Sequence, residues 1–177
     1  VEQAAHASRS VLKTAVLFLV FNRLDTTKQV FEAIRQAKPP RLYIAADGAR
    51  TSREGEDAIV QSVRDHVKYH IDWDCQVNTL FRDKNLVCKY TDSGAITWFF
   101  EREEEGNVLE DDCLPHPYFF NYCEWALDTY REDTEVWHIN GNNFDCPESL
   151  YKMSLIAFSS LAQVWGWATW KDRWNAY

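Results

Sequence analysis

The run TAVLFLVF at residues 14–21 is apolar at every position after Thr14, and the polar pair Asn22-Arg23 follows it. A run of this length without alternating polar residues is typical of a parallel β-strand that is buried on both faces. Such a strand belongs in a sheet covered by helices on each side. The run therefore predicts an α/β fold with this strand near the centre of its sheet.

The segments that follow alternate between helix and strand patterns. Behind Asp25, the expected N-cap of a first helix, apolar residues recur at helical spacing until Pro39-Pro40. Further strands are predicted at residues 41–48, 77–81, 107–109 and 136–139, and further helices at about 57–70, at 94–100 and from Pro117 onward. Alternating strands and helices predict a mostly parallel, Rossmann-like sheet with helices on both faces.

Length and composition limit the possible classes of protein. With 177 residues, of which 46% are hydrophobic, we expect a single domain over residues 1–177. A net charge of −8 and a pI near 5.1 argue against nucleic acid as a partner, because phosphate binding depends on Lys and Arg. The longest apolar run is far shorter than the ~20 residues of a membrane span, so no span is predicted in the visible chain.

The cysteines suggest a reducing compartment. There are five of them, none in a Cys-x-x-Cys pair, and the chain has no Asn-x-Ser/Thr sequon. A chain of this size does not need disulfides in order to fold. We therefore expect reduced, mostly buried thiols and a cytoplasmic location.

Polar residues stand at the predicted ends of four strands. They are Asn22-Arg23, Asp47-Gly48, the acids Glu110-Asp111-Asp112, and residues 140–143. The carboxyl ends of parallel strands meet at one edge of a sheet, where α/β proteins bind ligands. The chain has no Gly-x-Gly-x-x-Gly motif and no phosphate loop ending in Gly-Lys-Ser/Thr. We therefore expect the carboxylates to hold Mn²⁺ or Mg²⁺, which would in turn bind a diphosphate.

Each of these residues also has a purely structural interpretation. The three acids are equally compatible with a solvated loop ahead of a helix, where a negative charge is favourable. Asp47 is compatible with an ordinary turn before Gly48, and Arg23 with a surface side chain. Position at a strand end favours the functional interpretation, because it places these side chains together.

The same residues carry a family resemblance. The strand with its Asn-Arg turn, the strand ending AADG, and the blocks VLEDDCLPHPYFFNYCEWAL, VWHINGNNF and VWGWATW resemble the GT-A nucleotide-sugar glycosyltransferases. Within them the chain is most similar to bacterial sugar transferases and to the animal N-acetylglucosaminyltransferase I type, which carry Glu-Asp-Asp where others carry Asp-x-Asp. The resemblance extends over residues 14–174.

The resemblance implies roles for individual residues. Asp112 resembles the direct metal ligand, with Glu110 and Asp111 directed toward the ribose and the donor sugar. Asp47 resembles the residue that recognises uracil, and Arg23 the residue beside the nucleotide. The donor-sugar pocket is assigned to four residues: Trp165, Gly166, Trp167 and Asn142.

The implied function is metal-dependent transfer of a sugar from a nucleotide-diphosphate donor, a UDP-sugar, to an acceptor hydroxyl. No catalytic base is assigned, since Asp145 and Asp172 both match poorly, and the acceptor-side portion is expected beyond the aromatic end at Tyr177. One alternative is a non-catalytic nucleotide-sugar-binding module. Another is a nucleotidyltransferase, although VFNRLDTT at residues 20–27 lacks the expected phosphate loop.

Overall fold

The computed structural model describes residues 12–142 and 156–177. Within these ranges the chain forms strands and helices in alternation over most of its length. The strands are β1 (Ala15–Val20), β2 (Arg41–Ala46), β3 (Gln76–Phe81), β4 (Glu105–Glu110), β5 (Ile139–Asn140) and β6 (Trp167–Trp170). The helices are α1 (Leu24–Ala37), α2 (Glu56–Tyr69), α3 (Cys88–Phe100), α4 (Phe119–Tyr130) and, here designated α5, Lys171–Ala176.

The strands of the described ranges form one sheet in the order β3-β2-β1-β4-β6-β5. Strands β1 to β4 are parallel to one another, while β6 is antiparallel to both β4 and β5. Strand β5 therefore runs in the same direction as β1 to β4. The predicted α/β class with a Rossmann-like, mostly parallel sheet is confirmed.

Strand β1 lies inside the sheet and is buried on both faces. Val16, Phe18 and Val20 belong to an apolar cluster with residues of α1, α2 and α4. The alternate residues of β1 pack into a second cluster with residues of α3, and they are Ala15, Leu17 and Leu19. The interpretation of TAVLFLVF as a strand covered on both sides is therefore confirmed.

The predicted cap of α1 is wrong by two positions. The helix begins at Leu24, the N-cap is Arg23, and Asp25 lies in the first turn. The carbonyl of Arg23 accepts the backbone N–H of Thr27 at 3.0 Å and the hydroxyl of Thr27 at 2.7 Å. These two bonds fix the start of the helix without a side-chain cap, and Asp25 instead places its charge near the positive end of the helix dipole.

Three other boundaries differ from the sequence prediction. The strand predicted at 136–139 is shorter in the structure, where β5 covers Ile139–Asn140. Before β5, the carbonyl of Trp137 accepts the side-chain hydroxyl of Thr169 at 2.6 Å, where a longer strand would need a backbone N–H donor. Helix α4 begins at Phe119, so Pro117 precedes it. Helix α3 begins at Cys88, six residues before Gly94.

Of the five cysteines, the three with described side chains are free thiols. Cys123 is buried, while Cys75 and Cys113 are partly exposed, so among these three the expectation of buried thiols is met by Cys123 alone. Cys146 lies outside the described residues, and the side chain of Cys88 is not described. Among the helices in the described ranges, none combines the length and apolar character that crossing a membrane requires.

Candidate functional site

The candidate site lies at the carboxyl edge, defined here as the edge of the sheet where β1, β2 and β4 end. Parallel pairing brings Phe21, Asp47 and Asp111 to this edge as the residues that directly follow those strands. The backbone N–H of Phe21 donates a hydrogen bond to Asp111 Oδ2 at 3.3 Å. The ends of β1 and β4 are thus in direct contact, although they come from distant parts of the sequence.

Arg23 bridges two of the three consecutive acids. Its Nη2 lies 2.5 Å from Asp111 Oδ1, and its Nη1 lies 2.6 Å from Asp112 Oδ2. The side chain of Asp111 is 3% exposed, while those of Arg23 and Asp112 are 50% and 43% exposed. The guanidinium therefore compensates one buried and one open carboxylate, and it borders solvent itself.

Burial and charge shift the acid–base properties of this group. Burial raises the pKa of Asp111, although Arg23 and the N–H of Phe21 act in the opposite direction. For Arg23, burial is outweighed by the attraction of Asp111 and Asp112, and its pKa is raised. A guanidinium stays protonated at any physiological pH, so Arg23 presents a permanent positive charge to both aspartates.

Glu110 is the least compensated of the three acids. Burial raises its pKa to about 6, and the negative charges of Asp92, Asp112 and Asp111 add to this effect. The pKa of the neighbouring thiol of Cys113 is raised to about 11 by burial and by Glu110. A thiol with that pKa is protonated at neutral pH, so Cys113 is not an activated nucleophile.

The acids fit a metal ion only together with further ligands. In the part of the chain that the structure describes, no three His, Cys, Asp or Glu side chains are grouped to hold a metal ion alone. Mg²⁺ sites that use one or two carboxylates are completed by phosphate oxygens and water. The carboxylate of Asp112 is partly open to solvent. Besides burial, negative charges around Glu110 raise its pKa, and the same charges attract a cation. The donor set therefore fits a divalent ion that binds with a diphosphate.

Asp47 has a structural partner that the sequence did not reveal. It is 5% exposed, and its two carboxylate oxygens accept the backbone N–H of Leu86 at 2.9 and 3.2 Å. A Cβ on Gly48 would lie 2.6 Å from backbone atoms of Asp83 and Lys84. Asp47 and Gly48 thus hold the segment between β3 and α3 against the carboxyl edge. Recognition of uracil by Asp47 stays a prediction, and a carboxylate has lone pairs for more than one donor.

The residues predicted for the donor-sugar pocket also meet near the carboxyl edge. Asn142 Nδ2 donates to the carbonyl of Trp165 at 3.2 Å, and the N–H of Gly141 donates to the carbonyl of Gly166 at 2.8 Å. Trp165 is 63% exposed, whereas Trp167 belongs to the core and its ring stacks on His138 at 4.8 Å. Their role in binding a sugar stays a prediction.

A further buried carboxylate, Glu56, contacts the turn after β1 and was missed from the sequence. Glu56 accepts hydrogen bonds from Asn22 Nδ2 at 2.9 Å and from the backbone N–H of Arg50 at 2.8 Å, and it forms an ion pair with the Arg50 guanidinium. These contacts, the hydrogen bonds from Arg50 foremost, lower the pKa of Glu56 to about 2. The guanidinium of Arg50 also lies over the ring of Phe21. No sequence pattern links residues 22, 50 and 56.

The two residues weighed as a catalytic base receive no support. Asp172 lies in α5, directly after β6. Because β6 is antiparallel to β4, its end is at the edge opposite to the candidate site. Asp172 also pairs with Arg173 at 2.6 Å, and 66% of its side chain is exposed. Asp145 lies outside the described residues, so the catalytic base stays unassigned.

Comparison with known proteins gives a likeness of fold. No protein-family model matches the chain, and a search of curated proteins found no match. Among solved structures, the chain is similar to a crystal structure of residues 1–349 of TarS from Staphylococcus aureus, a glycosyltransferase, with 11% sequence identity and a TM-score of 0.49. The likeness covers 79% of this chain and 40% of TarS. At this identity and TM-score it carries no conclusion about activity.

Proposed function

We propose that this chain is the nucleotide-sugar-binding part of a metal-dependent glycosyltransferase of the GT-A type. Its donor is a nucleotide-diphosphate sugar, with UDP as the nucleotide, and its acceptor is a hydroxyl group. The observation that carries the proposal is the bridge from Arg23 to Asp111 and Asp112 at the carboxyl edge. It combines an exposed cation with one buried and one open carboxylate in the position where α/β sheets bind ligands.

The charges of the site suit a diphosphate bound with a divalent ion. Asp112 would be the ligand of Mn²⁺ or Mg²⁺, and Glu110 contributes negative charge nearby. When bound, such an ion supplies the positive charge that stabilises a departing diphosphate. Arg23 is half exposed, and a planar guanidinium can bind two phosphate oxygens at once. The divalent ion and the Arg23 guanidinium would thus both provide positive charge for the diphosphate.

The remaining parts of the site would bind the other parts of the donor. Asp47 lies at the end of β2, the strand next to β1, and is the proposed partner of the base. Trp165 lies just before the start of β6 and Asn142 just after the end of β5, and both are proposed contacts of the sugar. This arrangement would extend the donor across neighbouring strand ends, with the diphosphate at β1 and β4.

Calorimetry with matched variants tests the proposal. UDP is titrated into the wild type, Asp112→Asn and Asp72→Asn, each in Mn²⁺ and in chelator. Asp72 is the control because it is also an open aspartate paired with an arginine, at 2.8 Å from Arg35 Nη1 on a different part of the surface. We expect Mn²⁺ to tighten UDP binding in the wild type and in Asp72→Asn but not in Asp112→Asn. Equal UDP affinity with and without Mn²⁺ in the wild type contradicts the proposal.

A turnover assay separates an enzyme from a non-catalytic binding module. Release of UDP from a panel of UDP-sugars is measured with and without simple sugar acceptors, using protein whose UDP binding has been established. A binding module binds UDP-sugars with the same metal dependence but releases no UDP. Preference for another nucleoside diphosphate over UDP would correct the donor without changing the site.

A further inference from the structure

The contacts of Arg23 imply that it does more than accompany a nucleotide. Its guanidinium lies within 2.6 Å of both aspartates, and its Nη1 binds the Oδ2 atom of Asp112. A divalent ion that used the same oxygen would stand beside a guanidinium of like charge. Like charges at such a distance repel each other strongly where solvent is partly excluded. The guanidinium and a metal ion therefore compete for the open carboxylate.

The backbone at Arg23 is fixed independently of its side chain. The carbonyl of Arg23 accepts two bonds from Thr27 and one from the hydroxyl of Thr26 at 3.2 Å. The side chain is 50% exposed, and its described contacts to other side chains are those with the two aspartates. Hence the guanidinium can leave Asp112 by rotation of its side chain, without displacing helix α1.

A diphosphate offers Arg23 an alternative anion. Guanidinium binds phosphate oxygens in the same two-pronged geometry that it uses for carboxylates. If the guanidinium turns from Asp112 to a phosphate, the Asp112 carboxylate is released for a metal ion at the same moment. The exchange conserves the number of ion pairs of Arg23, so it requires little net loss of electrostatic stabilisation.

On this basis we propose that Arg23 is an internal counter-ion that keeps the acidic pair closed to divalent ions until a nucleoside diphosphate arrives. Arg23 is thus a positioning residue that makes binding of the metal and of the diphosphate interdependent. This inference rests on the proposed function, because it takes the diphosphate as the ligand. Coupling between two ligands is reciprocal, so the diphosphate must raise the metal affinity by the same factor as the metal raises the diphosphate affinity.

The test measures binding of Mn²⁺ alone, by the loss of its free-ion signal in electron paramagnetic resonance. Four proteins are compared without nucleotide: wild type, Arg23→Gln, Arg23→Lys and Arg35→Gln. Arg35 is the control because it also pairs with two acids, Glu32 and Asp72, away from the site. We expect Arg23→Gln to bind Mn²⁺ about tenfold to a hundredfold more tightly than the wild type, which corresponds to loss of a charge-assisted hydrogen bond.

Arg23→Lys protects the test against misfolding. Loss of the guanidinium leaves Asp111, which is 3% exposed, without its counter-ion, so Arg23→Gln is checked for folding by thermal unfolding. An ammonium group is a compact point charge without the rigid fork of a guanidinium, so it can compensate Asp111 while holding Asp112 less firmly. Arg23→Lys should therefore remain folded and still bind Mn²⁺ more tightly than the wild type. If Arg23→Gln does not fold, Arg23→Lys decides the outcome.

Titrations with UDP separate the inference from the proposed function. If the wild type shows interdependent binding of UDP and Mn²⁺, and the folded Arg23 variants bind Mn²⁺ alone more tightly so that UDP raises their Mn²⁺ affinity by a smaller factor, both the inference and the proposed function stand. If the wild type shows the interdependence but no folded Arg23 variant binds Mn²⁺ more tightly than Arg35→Gln does, the role of Arg23 is overturned and the proposed function survives. If UDP does not bind the wild type, the proposed function fails, and with it the diphosphate as the ligand that releases Asp112.

Discussion

The buried carboxylate of Asp47 predicts a measurable loss of stability when it is removed. Both of its oxygens lie within hydrogen-bond distance of the backbone N–H of Leu86, at 2.9 and 3.2 Å, and the residue is 5% exposed. A hydrogen bond to a charged group contributes about 1.5 to 3 kcal/mol. We expect Asp47→Ala to lower the free energy of unfolding by that amount. With a urea m-value of about 2 kcal/mol/M, the midpoint should fall by about 1 M.

Urea denaturation followed by circular dichroism measures this change, with two controls. Asp47→Asn keeps one oxygen as an acceptor for Leu86 and should cost less, about 0.5 to 1.5 kcal/mol. Asp83→Ala removes an exposed acid from the segment that Asp47 anchors and should stay within about 0.5 kcal/mol of the wild type. If Asp47→Ala unfolds at the same urea concentration as the wild type, the anchoring role is refuted. If Asp47 also binds the base, Asp47→Ala should weaken UDP more than it weakens Mn²⁺.

Three further changes test other features of the structure. The pKa of Glu56 is lowered to about 2 in the folded protein, so the ionised carboxylate stabilises the fold above its ordinary pKa, and this stabilisation is lost as the pH falls toward 2. Glu56→Gln should therefore lower the Tm at pH 7. A difference in Tm between wild type and Glu56→Gln that does not become smaller below pH 4 contradicts this. Val87 has a φ of 69°, which is strained for a β-branched side chain, so Val87→Gly should raise the free energy of unfolding by about 1 kcal/mol in urea titrations, and a loss of stability would show that the strain is absent. A Cβ on Gly141 would lie 2.4 Å from the carbonyl oxygen of Gly166, so Gly141→Ala should cost about 1 to 3 kcal/mol in the same assay, and wild-type stability would contradict the close approach.

The central part of the fold follows directly from sequence patterns. The run at residues 14–21 predicts a strand buried on both faces, and this requires only that apolar side chains avoid water. Once a parallel sheet is assumed, the ends of its strands must meet at one edge, which is why the sequence predicts that Asn22-Arg23 and the acids at 110–112 lie close together although they are far apart in sequence. Predictions of this kind depend on periodicity and chain direction, and both can be read from a single sequence.

The contacts between side chains at the edge could not be predicted. The family resemblance predicts that Arg23 lies beside the nucleotide, but it does not predict the ion pairs with Asp111 and Asp112. These pairs depend on the rotamers of Arg23, after β1, and of the two aspartates, after β4. Nothing in the local sequence around Glu56 predicts its burial, but folding places it against Arg50 and Asn22. Such partners are chosen by tertiary proximity, which local propensity does not encode. The wrong cap at Asp25 has a local origin instead, since Thr27 in the first turn of α1 binds the carbonyl of Arg23, the residue that caps the helix.

The reversed direction of β6 has a consequence for how proteins with this sheet can diversify. Strand β5 runs toward the carboxyl edge and β6 runs away from it, so both ends of the connection between them lie beside the candidate site, joined by the bond from Gly141 to Gly166. Substitutions at the ends of this connection that the structure describes, such as Asn142 and Trp165, would therefore alter what borders the candidate site while leaving the strands in place. The surroundings of the site can thus change in evolution while the charged residues at the ends of β1 and β4 keep their positions.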